Sequence, residues 1–336
     1  MSASSVPLAL TMGEPSGIGP EIALKAWNAR HRQAIPPFIY VGDPSPLHDA
    51  ATTLGFDLTV NETDCADTAI ACWADALPVR RVELAEPAKP GTPSPANASG
   101  TIGAIELAVK MAADGSAGGV VTCPIHKSAL YAAGFAHPGH TEFLAELAGG
   151  GATPVMMLAV GGFRTVPITI HMSLACAIAA LTADLIVETA TIVNADLGRF
   201  FGLNRPRLAI SGLNPHAGED GTMGTEEATI IAPAIARLKA AGIDVAGPLP
   251  ADSMFHAKAR TRYDAALCMY HDQALIPVKT VGFEEGVNCT LGLPFVRTSP
   301  DHGTALDIAG RGLADARSLI AALEMAARMA AHGRTA

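Results

Sequence analysis

The sequence predicts a two-lobed α/β protein, and three observations carry that prediction. Short apolar runs alternate with helix-like segments along the whole chain. Gly- and Pro-rich turns punctuate the alternation. The 336 residues suffice for two lobes with separate cores.

The first expected strand is VPLALT (6–11), followed by a Gly/Pro loop and the helical run EIALKAWNAR (21–30), with Pro20 suited to its first turn. PFIYV (37–41) ends in the turn GDPSP. The Pro/Gly-dense stretch 86–100, EPAKPGTPSPANASG, reads as a surface loop or linker. GVVT (119–122) leads into CPIHKSALYAAG. VMMLAV (155–160) and VPITIH (166–171), separated by GGFR, read as a hairpin. LAISGL (208–213) and AALCMY (265–270) are further strands. Long helical patterns cover 183–197, 226–241 and 314–331. The lobes are expected at 1–125 with 305–336, and at 126–304, the C-terminal helix returning to the first lobe.

Composition narrows the function. A net charge of −9 offers no basic face for nucleic acid. The N-terminus lacks the basic and long apolar stretches of a secretory signal, and no window approaches a membrane span. A cytoplasmic protein is expected, with no membrane partner. The six cysteines form no C-x-x-C pair, and most lie in apolar runs, where they are expected as small buried hydrophobes in a reducing compartment.

Three histidines share one context. His171 closes VPITIH, His216 follows LAISGL in NPHAGEDG, and His271 closes AALCMY. Ligands bind beyond the carboxyl ends of strands in open α/β sheets. Three neutral imidazoles would leave a divalent ion its full charge to polarise a bound oxygen. Each alone reads as a polar strand cap; three in one setting favour a metal site, with Asp272 and Gln273 as residues that orient a ligand imidazole.

A second set suits an anion. In HPGHTEF, His140 and Thr141 open a helix, with Thr141 as its expected N-cap. Lys279, Asn288 and Arg297 are lone strong donors in apolar or Gly-rich stretches, suited to a phosphate or carboxylate. The opening loop TMGEPSGIGPEI has neither Rossmann nor P-loop spacing, so no standard Rossmann cofactor site is expected. His31, His48, His256 and His332 are expected at the surface.

Together these motifs are recognisable. The segments GEPSGIGPEI, CPIHKSAL, GHTEF, GLNPHAGEDGTMGTEE, GPLPADSMF, MYHDQALIPVK and GVNCTLGLPFVRTSPDHGTALDIAGRG run from residue 13 to 312. They resemble the 4-hydroxythreonine-4-phosphate dehydrogenase family of vitamin B6 biosynthesis. The resemblance implies that His171, His216 and His271 bind one divalent metal ion such as zinc, cobalt or magnesium. It implies that His140, Thr141, Lys279, Asn288 and Arg297 contact a small phosphorylated substrate, in a homodimer whose subunits share the active site. GEPSGIGPE and HGTALDIAGRG also look like segments of isocitrate and isopropylmalate dehydrogenases, which implies that fold class and places His302, Gly303, Thr304 and Asp307 on NAD or NADP. Those enzymes use aspartates for metal where this chain offers histidines. Asp272 and Asp252 are the candidates for general base. The alternatives are a related dehydrogenase of phosphorylated sugar acids or aromatic dihydrodiols, a non-redox acyl-phosphate transferase on a related fold, and a binding module without turnover.

Overall fold

A computed structural model describes residues 6–137 and 139–333, so residues 1–5 of the N-terminal segment lie outside it. The strands are β1 (Leu8–Thr11), β2 (Phe38–Gly42), β3 (Val60–Glu62), β4 (Leu77–Arg81), β5 (Val120–Thr122), β6 (Val155–Val160), β7 (Phe163–Thr169), β8 (Arg207–Ser211), β9 (Asp244–Leu249), β10 (Ala265–Tyr270), β11 (Val287–Leu291) and β12 (Arg297–Pro300).

The chain divides into two units: residues up to Pro154 together with those from Leu293 onward, and Val155–Gly292. The second is thus inserted into the first, as expected, but with other limits. Residues 126–154 and 293–304, expected in the second lobe, belong to the first. The physical reason is pairing and packing: β12 runs parallel to β5, with Arg297 opposite Val120, and helix His140–Leu147 packs on helix Ala98–Ala113.

The first unit's strands run in the order β3-β4-β2-β1-β5-β12, every pair parallel. Parallel strands covered on both faces read as unbroken apolar runs, and Leu8, Ala9 and Leu10 are all buried. Helix Gly19–Ala29 starts with Pro20 in its first turn. The C-terminal helix Arg317–Gly333 lies on β12, where Thr298 Oγ1 donates to Ala322 O at 2.9 Å. Within the stretch 86–100, residues 86–96 form the expected surface loop, whereas Asn97 is 1% exposed and accepts from the Glu86 amide, and a new helix starts at Ala98.

The second unit runs β11-β6-β7-β10-β8-β9. The β6–β7 hairpin turns on Gly161 and Gly162, antiparallel as expected, while β7, β10, β8 and β9 are parallel. Leu158, Phe163, Cys268, Ala274, Leu275 and Val278 form its core under helix His271–Val281. The expected helix over 226–241 divides into a π-helical turn, Glu227–Ile231, and an α-helix, Ala232–Ala240.

Of the cysteines, Cys123, Cys268 and Cys289 are buried, whereas Cys65 and Cys176 are exposed and Cys72 is half-buried, so only half behave as core residues. Burial pushes the Cys123 thiol up to about 12. Among the described residues, no single helix is long and apolar enough to cross a membrane.

Candidate functional site

In the second unit, strand register places the histidines. Thr169 on β7 lies opposite Tyr270 on β10, so His171 and His271 leave the sheet from neighbouring carboxyl ends. Their rings face each other with centroids 5.7 Å apart. β10 pairs on its other side with β8, and His216 follows β8 by five residues. The spatial order β7-β10-β8 therefore sets the carboxyl ends of the three strands that precede these histidines side by side. Only two of the imidazoles come together, however. Among the described residues, no three of His, Cys, Asp and Glu are close enough to hold one ion.

His171 and His271 line a cavity of about 340 Å³ with Thr169, Met172, Tyr270 and Asp272. His271 Nδ1 is 2.7 Å from Asp272 Oδ1. An Nδ1–H donated to that carboxylate leaves the Nε2 lone pair outward, the tautomer a metal ligand needs. The donor set therefore suits a divalent ion, with His171 and His271 as two neutral ligands and Asp272 behind one of them.

Gln273, expected beside Asp272, has another task. Its Oε1 accepts from the Met269 amide at 2.7 Å and from Ser211 Oγ at 2.8 Å, and its Nε2 donates to Gly212 O at 2.9 Å. It ties the ends of β8 and β10 together. The loop after β8 is held by a carboxylate that sequence reasoning left without a role. Glu227 accepts from the Leu213 and Asn214 amides at 2.8 and 2.7 Å and from Asn214 Nδ2 at 2.9 Å. Burial pushes the Glu227 carboxyl up, but these donors outweigh it and hold the group below its ordinary value. His216, Ala217, Gly218, Glu219 and Asp220 all have positive φ, so His216 rides on a left-handed turn.

Helix His271–Val281 carries Lys279 two turns beyond His271, on the same face. A cavity of about 420 Å³ runs along that face past His271, Asp272, Leu275 and Lys279. Lys279 Nζ sits 5.2 Å from the centre of the Phe283 ring. Asn288 lies on β11 opposite Leu158. Asp252 is exposed on the short helix Ala251–Met254, which packs against the segment bearing His216.

The first unit holds the other residues. His140 is the first residue of helix His140–Leu147, and the N-cap is Gly139 rather than Thr141. The atoms nearest to a Cβ built at Gly139 are the mobile ends of two long side chains, Glu142 Oε2 at 2.8 Å and Lys127 Nζ at 3.3 Å, and Thr141 falls inside the helix rather than at its cap. His140 Nε2 is buried without a hydrogen-bond partner among the described residues. Burial, then the Arg297 guanidinium and the Lys127 ammonium, hold its imidazole well below the ordinary range, so it is neutral. Arg297 is 4% exposed and donates from Nη2 to Thr122 Oγ1 at 2.8 Å. His137, from the same HPGHTEF segment, packs with Phe135 and Phe143 and faces Glu146 at 3.3 Å. His31, His48, His256 and His332 are exposed, as expected.

His302, Gly303 and Thr304 follow β12. Thr304 O accepts from the Ile18 amide at 3.0 Å, and a Cβ on Gly17 would press on Thr304. The loops after β1 and β12 thus lie on each other. His302 Nε2 is buried without a partner among the described residues, and the space beside Gly303 is open. Asp307 is exposed. His302 Nδ1 lies 3.0 Å from Gly303 O, and an unpartnered Nε2 beside an open glycine fits a polar ligand such as a nucleotide.

Fold and site together define an α/β enzyme that presents imidazoles at the carboxyl ends of parallel strands and carries a buried, hydrogen-bonded guanidinium. Comparison with known proteins is consistent. The family model described as pyridoxal phosphate biosynthetic protein PdxA matches residues 33–326. The 4-hydroxythreonine-4-phosphate dehydrogenase of Methylorubrum populi is 54% identical over 98% of this chain and 96% of its own, and that of Bradyrhizobium diazoefficiens is 54% identical over 97% of each. The crystal structure of the Klebsiella pneumoniae 4-hydroxythreonine-4-phosphate dehydrogenase superposes with a TM-score of 0.87 at 37% identity, covering 98% of this chain and 99% of that one. The chain belongs to the PdxA family.

Proposed function

We propose that this chain oxidises 4-phosphooxy-L-threonine to 2-amino-3-oxo-4-phosphooxybutanoate with NAD or NADP and one divalent ion. The β-keto acid then loses CO2 to give 3-amino-2-oxopropyl phosphate, a step in vitamin B6 biosynthesis. Membership of the PdxA family supports the substrate and the reaction. The observation that carries the metal-dependent chemistry is the facing pair His171 and His271, with Asp272 behind His271.

When bound, the ion acidifies the substrate hydroxyl and the nicotinamide accepts hydride from C3. Asp272, accepting from His271 Nδ1, would hold the tautomer whose Nε2 is available to an ion. The hydroxyl proton passes to a base, for which Asp272 and Asp252 are the candidates. Arg297, buried and pinned on Thr122, offers a fixed charged fork to the phosphoryl group. His140 offers a neutral ring there rather than a further cation. Thr141, Lys279 and Asn288 complete the substrate contacts. His302, Gly303, Thr304 and Asp307 contact the cofactor. His216, standing outside the His171–His271 pair, is the third metal ligand, supplied across a homodimer. Exposed apolar side chains on the second unit suit such an interface, among them Leu174 at 56% and Ile178 at 43% exposure.

The test is NADH formation by metal-stripped protein given 4-phosphooxy-L-threonine and NAD, before and after zinc, cobalt or magnesium is added. Turnover that appears only with the ion is the expected result. Turnover unaffected by chelation would overturn the metal reading. An aromatic dihydrodiol, the substrate class named for the 28% identical Burkholderia xenovorans terephthalate 1,2-cis-dihydrodiol dehydrogenase, serves as the competing substrate.

A further inference from the structure

Gln273 sits between two strands that lead to metal-ligand histidines, and its side chain continues the sheet where the backbone ladder stops. The parallel pairing of β8 with β10 ends at Ile210 opposite Leu267. Beyond that pair the strand ends are joined through the Gln273 amide. Its Oε1 takes the Met269 N–H at 2.7 Å and the Ser211 hydroxyl at 2.8 Å, and its Nε2 donates to Gly212 O at 2.9 Å. A backbone N–H only donates and a carbonyl only accepts, so this gap takes a carboxamide in one orientation.

The backbone groups it joins are also held from their far sides. Met269 O accepts from Thr169 Oγ1 on β7 at 2.7 Å. The Gly212 amide donates to Leu249 O on β9 at 2.7 Å. A hydrogen-bonded stitch therefore crosses from β7 through β10 and β8 to β9, with Gln273 at its middle. Each part of it lies beside a histidine. Thr169 precedes His171 by two residues. Gln273 belongs to the first turn of helix His271–Val281. Gly212 is the seat of the loop that carries His216: a Cβ there would stand 2.8 Å from the Cα of Ala217, so the residue after His216 rests on the Gly212 backbone.

We propose that Gln273 is a positioning residue for the metal ligands, fixing at once the start of the helix that bears His271 and the seat of the loop that bears His216. This rests on the reading that these histidines bind a divalent ion. On that reading His271 and His216 of one chain serve the two sites of a homodimer, so replacing Gln273 in both subunits loosens two ligands of every ion. Hydrogen bonds behind a ligand are worth about 10- to 100-fold in metal affinity.

The experiment titrates cobalt(II) into the metal-free full chain and into Gln273→Met and Asp264→Ala. Affinity is read by competition with a chelating dye, coordination by the visible spectrum of the bound ion, and folding by thermal melts. Gln273→Met keeps the length of the side chain and loses all three hydrogen bonds. Asp264→Ala is the control, since Asp264 Oδ2 accepts from the Arg207 amide at 2.8 Å and ties the same two strands at their opposite, amino ends. Folded Gln273→Met should bind cobalt at least about tenfold more weakly, with an altered spectrum. Asp264→Ala should melt lower yet bind cobalt as the unsubstituted protein does. If Gln273→Met does not fold, Gln273→Glu takes its place; it keeps the acceptor, loses the bond to Gly212 O and should weaken binding in the same direction. A folded Gln273 variant with unchanged affinity and spectrum would overturn the proposal. So would an equal loss of affinity in Asp264→Ala, which would mark a general loosening of the sheet. A chain that binds no cobalt at all would overturn the metal reading and the proposal with it, an outcome distinct from a chain that binds cobalt equally well without Gln273.

Discussion

The smallest features make the sharpest predictions. Asp272 fixes the His271 ring through one 2.7 Å contact. Replacing it by asparagine removes the charged acceptor but keeps the shape. Metal affinity of Asp272→Asn should fall about 10- to 100-fold, read by competition with a chelating dye. Arg297→Ala should raise KM for the phosphorylated substrate, since a charge-assisted hydrogen bond is worth about 1.5–3 kcal/mol. His140 predicts a pH effect. Its folded pKa lies well below the ordinary value of about 6.5, through burial and then the neighbouring Arg297 and Lys127. Below pH 6.5 the unfolded chain therefore binds a proton that the folded chain refuses, and stability falls as pH drops from 6.5 toward the folded pKa. Above 6.5 both states are neutral and the effect is flat. The melting temperature should drop between pH 7 and pH 5, and His140→Gln should lessen that drop.

At the scale of elements, the loop after β8 is the informative one. Glu227 is the acceptor for two backbone amides and for the Asn214 side chain. Glu227→Ala would leave the half-buried Leu213 and Asn214 amides without this acceptor, at about 1–3 kcal/mol each, while the Asn214 side chain keeps its bond to Glu226. We expect a loss of roughly 2–4 kcal/mol in urea unfolding, the loop bearing His216 loosening first in hydrogen exchange. None of this was legible in the sequence, because Asn214 and Glu227 lie 13 residues apart with no local pattern linking them. By contrast, β10 was readable to the residue, since AALCMY is an unbroken apolar run bounded by charge. His171 and His271 were legible because strand ends announce themselves. That His216 stands apart from them was not, because it sits five residues beyond β8 on a left-handed turn whose course no local pattern marks. β4 was missed because Pro78 and its two arginines broke the apolar pattern, and β12 because it begins at Arg297. Threonine is a favoured cap residue, which is why Thr141 carries that expectation; the helix begins two residues earlier than a cap at Thr141 would allow, an offset that the local sequence does not mark.

For the whole molecule, the nested order of the two units was visible in the alternation of strands and helices. Their limits at 154 and 293 were not, because β12 is captured by β5 from across more than a hundred intervening residues. The proposed homodimer is testable at this scale. Sedimentation should show a species of twice the 34.4 kDa chain mass. Ile178→Glu, placing a charge among exposed apolar neighbours, should yield monomers that fold normally but turn over poorly. Full activity in a monomeric variant would remove the shared-site reading.

The left-handed turn from His216 to Asp220 has a practical consequence for anyone engineering this protein. Four of its five residues carry a Cβ in a backbone region that disfavours one, at about 1–2 kcal/mol each. Ala217 is the plainest of them, a methyl group with no hydrogen bond to lose. A consensus-minded designer scanning for helix formers would leave it alone or enlarge it. The better substitution is Ala217→Gly, which relieves the backbone and should raise the melting temperature by a degree or more. Thermostability work on this chain should therefore begin by adding a glycine, against the usual direction of such designs.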